Sequence, residues 1–446
     1  GDPASAALEL KKALDLGHAR SEVLPLLATS MLMAGQAKKL IEDHAAGVIE
    51  QPAANAEFQA ALAGAHYQLG DFAAAADKLQ GVLKAAPELP SALLLQARLQ
   101  LRDKQVDAAV ATLQNLMSRK AGGAEPYRLA ADIQLRIQGD AAGAEARLVQ
   151  ALAVDARDLA AHSSLIELAV RQKDVDKIKQ RIAALKTAYP AHPQTRFHEA
   201  QLALLERQLA KARELTQGLL ALAPDSVEAL HLSGLAESGA GNLRLARDRF
   251  AKALFIAPGR ADIRLLLAQT YLQTGQSQQV LDLLRDALRL PQGSAVVLEL
   301  AAKARTQMGD FDAARALFLR AQKIAPDNSD LQTTLAWLDY SSGKVSAAAK
   351  QLEQASALDK SPTADFMLIT LHAKEREFDR ALATADGLAA KGVEPARIAL
   401  IRGQIELQRG ESAQARAQFE RALQADPALF EAAASLAGID LSEGKI

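Results

Sequence analysis

The sequence contains no cysteine, so disulfide bonds, thiolate zinc sites and cysteine nucleophiles are excluded. It also lacks an excess of charge, because 52 Lys and Arg stand against 53 Asp and Glu, for a formal net charge of −1. A chain without a positive field is not expected to bind nucleic acid or an anionic membrane by electrostatic attraction. Aromatic residues are scarce, at 4%, which argues against sheets built on aromatic and β-branched strands.

Long hydrophobic runs are missing as well. The longest charge-free apolar stretch, residues 23–37, is too short to span a bilayer, and Pro25 interrupts it. The opening residues GDPASAALELKK have neither the basic nor the apolar segment of a signal peptide. The sequence therefore predicts no transmembrane segment, and any export signal or lipid anchor is expected upstream of this chain.

Motifs for catalysis and phosphate binding are absent too. The chain has no HExxH, no GxSxG and no GxxxxGK[ST] sequence. Its eight histidines are scattered, and the closest pair, His192 and His198, has no third ligand nearby. We therefore predict no catalytic residue, no cofactor and no metal site.

The sequence does contain a short motif that recurs along its whole length. A Gly followed by a polar residue stands five residues before an Ala, as in Gly70, Asp71 and Ala75. With weaker copies placed in the same register, the marker residues are separated by 33 to 35 residues. They fall at positions 1, 35, 70, 104, 139, 173, 207, 241, 275, 309, 343, 376, 410 and 444. A fixed period of this length is typical of a repeat architecture.

Each period predicts two helices joined by a tight turn. Glycine tolerates the left-handed conformation that ends a first helix, and proline cannot continue a helix interior. A proline falls seventeen residues after several markers, where it should end the second helix: Pro52, Pro87, Pro190, Pro224, Pro258, Pro326 and Pro427. Small residues seven before and five after the marker, such as Ala268 and Ala246, should let the two helices approach closely. Between the breaks, apolar residues recur every three or four positions, the spacing of a helix with one buried face.

This combination of Gly-Asp or Gly-Asn, spaced alanines and terminal proline resembles the tetratricopeptide repeat (TPR) over essentially the whole chain. The resemblance implies an all-α fold, a right-handed α-solenoid of antiparallel helix pairs. We predict one continuous array of about 12 full repeats, with half a repeat at each end. Residues 1–17 would be an orphan second helix, residues 18–427 the full repeats, and residues 428–446 an orphan first helix. Because both ends cut through a repeat, we expect a fragment of a longer array.

A more specific resemblance concerns the segments GDPASAALELKKALDLGHARSEVLPLL and APDSVEALHLSGLAESGAGNLRLARDRFAKALFIAP. Both are similar to the TPR-repeat lipoproteins of the exosortase/PEP-CTERM systems of Gram-negative bacteria. That family is encoded with exopolysaccharide and protein-sorting machinery. The resemblance implies a periplasmic or membrane-anchored location, with a cytoplasmic location as the alternative, and it brings no catalytic residue to this chain.

In a TPR solenoid the first helices line the concave surface, with exposed positions ten, six and three residues before each marker. Those positions give a candidate groove for partner binding. Its selected members are Tyr67, His231, Glu299, Lys303, Thr333, Trp337, Tyr340 and Phe366. Trp337 is the only tryptophan, and aromatic residues often dominate the energy of an interface. The sequence equally allows the rings of Trp337, Tyr340 and Phe366 to pack in the core between repeats.

Three functional hypotheses remain open at this stage. The leading one is a non-catalytic scaffold that binds protein or peptide partners in its groove, within an exopolysaccharide export or surface-protein sorting system. The second is a polysaccharide-binding module in which Trp337, Tyr340 and Phe366 stack on sugar rings. The third is the regulatory arm of an enzyme whose catalytic domain lies outside this chain.

Overall fold

The computed structural model describes residues 2–290, 293–358 and 361–444. Within these residues all regular structure is helical, with 26 α-helices, one short 3-10 helix and no strand. The chain divides into two compact units, residues 1–219 and residues 220–446, and the division falls within the helix Leu209–Leu222. The predicted all-α fold of repeated helix pairs is confirmed, while the number of repeats and the single continuous array stay predictions.

The first unit contains α1 to α12 and most of α13. From α2 to α13, each even-numbered helix is the first helix of a pair, and the odd-numbered helix that follows it is the second. The bounds are α1 Pro3–Asp15, α2 Arg20–Met33, α3 Ala37–His44, α4 Pro52–Gln68, α5 Phe72–Ala85, α6 Pro90–Arg102, α7 Val106–Ser118, α8 Glu125–Arg136, α9 Ala141–Val154, α10 Leu159–Gln172, α11 Val175–Ala188, α12 Pro193–Leu205 and α13 Leu209–Leu222.

The second unit continues the same alternation from α14 onward. The bounds are α14 Val227–Gly239, α15 Leu243–Ile256, α16 Ala261–Gln273, α17 Ser277–Arg289, α18 Ala295–Gln307, α19 Phe311–Ile324, α20 Ser329–Ser341, α21 Val345–Leu358, α22 Thr363–Lys374, α23 Phe378–Gly387, α24 Pro395–Arg409, α25 Ser412–Ala425 and α26 Phe430–Ser442. The 3-10 helix Leu388–Lys391 follows α23.

The turns between paired helices occur at the predicted markers. Every marker residue from 35 to 444 has a positive φ, including Gly241 at 80° and Gly410 at 94°. Four markers are not glycine, namely Lys104, Lys173, Arg207 and Arg376, and they adopt the same left-handed conformation. Left-handed backbone is unfavourable for a residue with a Cβ atom. The repeat geometry therefore imposes this turn even where the sequence does not favour it.

The residue after the marker caps the N-terminus of the second helix. The side chain of Asp71 accepts a hydrogen bond from the backbone N–H of Ala74, and Asp140 accepts one from the N–H of Gly143. Asp174 and Asp310 make the same contact in their own repeats. These bonds satisfy N–H groups that have no partner within the helix. The recurring Gly-Asp pair thus ends one helix and caps the next.

Small side chains fill the contact between paired helices. Ala268 and Ala302, seven before their markers, are fully buried, and so are Ala246 and Ala314, five after theirs. At the position seven before the marker, two repeats have glycine in place of alanine, and a phenylalanine of the second helix faces each glycine. A Cβ atom on Gly234 would lie 2.4 Å from the ring of Phe250, and one on Gly403 would lie 2.5 Å from the ring of Phe419. The close approach of the helices therefore requires glycine at these two positions.

Some repeats depart from the regular pattern. The second helix α3 has only eight residues and ends at His44, so Pro52 is the first residue of α4 and does not end the preceding helix. The prediction that Pro52 ends a second helix is therefore wrong. Proline is accommodated at a helix start because its missing N–H would have no partner there. In the later repeat, α23 ends at Gly387 and is followed by the 3-10 helix.

Candidate partner-binding surface

The residues six positions before each marker form what we call the first-helix row. In the second unit the row carries exposed side chains from α16 onward: Gln269, Lys303, Trp337, Thr370 and Gln404. In α16, α18, α20 and α22 the residues ten and three before the marker are half-buried, as Thr333 and Tyr340 show. Five successive first helices, from α16 to α24, thus each present one solvent-facing side chain of the row, whereas Leu235 of α14 is half-buried and Gly438 of α26 has no side chain.

Trp337 is the largest of these side chains, with 48% of its surface exposed. It lines a cavity of about 270 Å³, which we call the unit 2 cavity. The other lining residues come from α16, α18, α19 and α20, and they are Leu272, Lys303, Thr306, Gln307, Phe318, Thr334 and Leu338. Phe318 and Leu338 are almost fully buried. The cavity therefore has an apolar floor beneath an exposed indole ring.

Most polar groups at this cavity already have partners. The hydroxyl of Thr334 donates to the carbonyl of Asp330, and that of Thr306 donates to the carbonyl of Ala302. Gln307 donates to the carbonyl of Leu272 and accepts from the hydroxyl of Ser277. These hydrogen bonds hold the polar side chains around the cavity in fixed orientations.

Lys303 is the only charged residue that lines this cavity. Arg305, on the same helix, is paired with Asp310 at 3.1 Å. Within residues 2–290, 293–358 and 361–444, by contrast, no carboxylate comes within ion-pair distance of the Lys303 ammonium group. The cavity therefore combines an apolar floor with a positive charge that forms no direct ion pair.

Glu299 lies one helical turn before Lys303 and is half-buried. Burial raises the pKa of Glu299, and Asp330 acts in the same direction, while Lys303 lowers that pKa through space. One carboxylate oxygen of Glu299 accepts a hydrogen bond of 3.2 Å from the side-chain amide of Asn328. Glu299 thus influences Lys303 electrostatically without contacting it.

Other predicted groove residues do not line this cavity. Tyr340 is half-buried against a core cluster that includes Ala336 and Leu352, with the ammonium group of Lys374 5.8 Å from its ring centroid. Phe366 packs against the next cluster, which contains Ile369. The hydroxyl of Thr333 donates to the carbonyl of Ser329. The structure therefore brings Trp337 together with Lys303, and it places Tyr340 and Phe366 in inter-helix packing.

The two remaining predicted residues lie at separate places. His231 is half-buried, with its ring centroid 6.4 Å from that of Phe250, and burial lowers the pKa of His231. Tyr67, in the first unit, makes an edge-to-face contact with Phe72 at 5.4 Å. Both rings contribute mainly to helix packing.

The first unit has its own cavity at the corresponding repeat positions. This unit 1 cavity has a volume of about 560 Å³ and is lined by α2, α4, α6 and the first residue of α8. Three of its lining residues, Thr29, Gly64 and Arg98, belong to the first-helix row. The guanidinium group of Arg98 is hydrogen-bonded to the carboxylate of Glu125, which also lines the cavity. In this cavity the row therefore contributes Arg98, whose charge is paired with Glu125, and Gly64, which has no side chain.

Sequence reasoning missed several lining residues of the unit 2 cavity. Gln307 and Thr334 lie two and nine positions before their markers, each one residue from a position that was considered. Phe318 belongs to a second helix and reaches the cavity from below. A wider window around each groove position would have found the first two, whereas the contribution of Phe318 depends on how α18 and α19 pack.

The buried histidines His198 and His372 have structural partners. His372, which is buried, lies 2.7 Å from the carboxylate of Glu377, and this hydrogen bond lowers the pKa of Glu377. His198 is fully buried and contacts Gln201 and Gln194. No group of three or more His, Asp or Glu side chains in the described ranges could hold a metal ion. Nor is any described helix long and apolar enough to cross a bilayer.

Comparison with known families agrees with this architecture. Two models of the tetratricopeptide repeat match the chain, one at residues 238–304 and 305–364 and the other at residues 51–124 and 366–429. Together they cover more than half of the sequence. The chain therefore belongs to the tetratricopeptide repeat family, whose members bind protein partners and are typically non-catalytic scaffolds.

Individual relatives are more distant. Cellulose synthase operon protein C of Pseudomonas fluorescens (strain SBW25) is 30% identical over 183 residues, which is 39% of this chain and 14% of that protein. The chain thus spans a small part of this relative. Among solved structures, the APC/C hetero-tetramer Cut9–Hcn1 matches with 13% identity and a TM-score of 0.44, covering 98% of this chain and 93% of that chain. Pseudomonas aeruginosa pilF matches with 22% identity and a TM-score of 0.37, covering 48% and 97%.

Proposed function

We propose that this chain is a non-catalytic scaffold that binds protein or peptide partners along its first-helix row. The observation that carries this proposal is the run of exposed side chains on the five successive first helices from α16 to α24, around an indole that the fold leaves half exposed. Leaving such a ring in water forgoes roughly 2 kcal/mol of burial energy, at about 25 cal/mol per Å². A bound partner would recover that energy.

The row suits an extended segment better than a compact ligand. Its members recur once per repeat, and they combine amides, a hydroxyl, a cation and an aromatic ring. Such a surface can contact successive side chains of a peptide or a helix. Because packed helix pairs hold the row in place, little conformational entropy is lost when a partner binds.

We place the scaffold in an exported exopolysaccharide or surface-protein sorting system, periplasmic or membrane-anchored. Two lines support this setting. The sequence resembles the TPR lipoproteins of exosortase/PEP-CTERM systems, and the relative from Pseudomonas fluorescens is named for a cellulose synthase operon. The partner would then be a protein component of a polysaccharide or sorting machine.

The test is a selection of peptides from a random display library against the full chain, followed by binding measurements on variants. Trp337→Ala in the row should abolish or strongly weaken binding of the selected peptides. Phe255→Ala is the matched control, because Phe255 is 86% exposed on the second helix α15, away from the row. Circular dichroism of both variants checks that the fold is intact.

Two results would overturn the proposal. One is a selection in which every peptide binds equally well to the wild type and to Trp337→Ala. The other is a change in tryptophan fluorescence with cello-oligosaccharides but with no selected peptide, which would support the polysaccharide-binding alternative.

A further inference from the structure

The unit 2 cavity differs in chemistry from the rest of the first-helix row. It is the place where an exposed aromatic ring, an apolar floor and a cation without a direct ion pair meet. We propose that this cavity binds one aliphatic side chain of a partner peptide while Lys303 pairs with an acidic residue next to it. This proposal rests on the proposed function and adds the chemistry of the partner: an acidic segment with an aliphatic anchor.

The size of the cavity determines what can enter it. Sites for small molecules typically have volumes of about 300–1,000 Å³, whereas this cavity measures about 270 Å³. It lies below that range and is suited to a single side chain. Leu272, Phe318 and Leu338 provide the apolar contact, and Trp337 forms an exposed wall. Burying one aliphatic side chain here would stabilise a complex by removing apolar surface from water.

The charge of the cavity determines what lies beside that side chain. Lys303 is its only charged lining residue, and none of the described carboxylates is paired with it. Glu299, one turn earlier, has an oxygen engaged by Asn328. A carboxylate from a partner would therefore meet a free ammonium group at the edge of an apolar surface, where its attraction exceeds that of a fully exposed pair.

The remaining polar groups favour the same ligand. Thr306, Thr334 and Gln307 donate to carbonyl groups of the protein itself. The indole N–H of Trp337 and the ammonium group of Lys303 have no acceptor among the described residues. Both of these groups are donors. A ligand that offers carboxylate oxygens satisfies them, whereas a cationic peptide would place its charge against Lys303.

The experiment uses the full chain and four short peptides, acetylated and amidated, without aromatic residues. The first carries a leucine between two aspartates in a serine and glycine background. In the others the leucine becomes alanine, the aspartates become asparagine, or the aspartates become lysine. Because Trp337 is the only tryptophan, its fluorescence reports binding at this cavity directly.

We expect the aspartate–leucine peptide to shift the fluorescence of Trp337 and to bind about tenfold more tightly than the asparagine or alanine peptide, with the lysine peptide weakest. Lys303→Gln should lower its affinity about tenfold and remove the preference for aspartate over asparagine. Lys350→Gln, an exposed lysine on α21 outside the cavity, should leave both unchanged.

The outcomes separate this inference from the proposed function. If library-selected peptides bind the row but show no preference for acidic residues, or bind Lys303→Gln as well as the wild type, the inference is wrong and the scaffold stands. If no peptide of any kind binds the row, both fail. Thermal melting of Lys303→Gln is expected to match the wild type, because this side chain is exposed and has no ion pair to lose.

Discussion

The two units place the same repeat positions around cavities of different chemistry. In the first unit Gly64 contributes no side chain, and the cavity measures about 560 Å³. In the second unit Lys303 and Trp337 occupy the equivalent positions, and the cavity measures about 270 Å³. Arg98 in the first unit is neutralised by Glu125, whereas Lys303 has no such partner among the described residues. One backbone geometry thus carries two surfaces of different chemistry.

The largest effect should come from the ion pair that braces the second unit. Asp339 is fully buried, and Arg315 Nε donates to it at 2.5 Å, joining α19 to α20. Asp339→Ala leaves the guanidinium without its partner, so we expect a loss of about 3–5 kcal/mol of stability in this unit. Hydrogen exchange in α19 and α20 measures it. Protection equal to that of the wild type would show that the pair is dispensable.

The next comparison concerns two glycines. Gly403→Ala would place a Cβ atom 2.5 Å from the Phe419 ring, so it should cost about 1–3 kcal/mol. Gly64→Ala meets only the tip of Leu32, at 2.9 Å, and gains about 0.5–1 kcal/mol of helix propensity. Thermal denaturation should therefore shift in opposite directions for the two variants. A shift of the same sign would contradict the distinction between a packed and an open glycine.

A smaller effect is expected from the carboxylate nearest to Lys303. Glu299→Gln removes a negative charge that competes with an acidic partner, and its oxygen can still accept from Asn328. We expect the affinity for the aspartate–leucine peptide to rise about two- to threefold. Titration followed by the fluorescence of Trp337 measures it. Because burial raises the pKa of Glu299, the wild type should approach the variant as the pH falls through that pKa.

The smallest effect tests whether the first unit can be given the chemistry of the second. Glu125→Gln removes the charge that compensates Arg98. Both side chains are partly exposed, so the loss of stability should be below about 1 kcal/mol. In a Trp337→Ala background, fluorescence anisotropy of a labelled aspartate–leucine peptide should reveal weak binding that the single Trp337→Ala variant lacks. No binding would show that the larger cavity lacks a suitable apolar wall.

Much of the fold followed from local chemistry. The Gly-Asp phrase predicted a turn and a cap, and Asp71 caps its helix through the N–H of Ala74. The marker spacing also predicted the turn correctly where the Gly-Asp pair is absent, since Lys173 adopts the left-handed conformation at its marker. Pro52 was misassigned because a proline between two helices can either follow the end of the first helix or be the first residue of the second. Only the early end of α3 at His44 distinguishes the two.

The candidate site was less accessible to sequence reasoning. Periodicity identified the position of Trp337, but it also grouped Trp337 with Tyr340 and Phe366, which pack into separate clusters. The partner of Trp337 is Lys303, from the preceding repeat, and the floor beneath them includes Phe318 from a second helix. Contacts between repeats depend on the rotation of one helix pair against the next, which no pattern within a single repeat specifies.

By itself the sequence determined the helices, their turns and the small residues at their contacts, because these depend on propensity, capping and spacing over a few residues. The tertiary structure decided which exposed side chains share a cavity and which charges are compensated. Those properties arise only when residues from different helices come within a few ångströms, so they depend on packing between repeats.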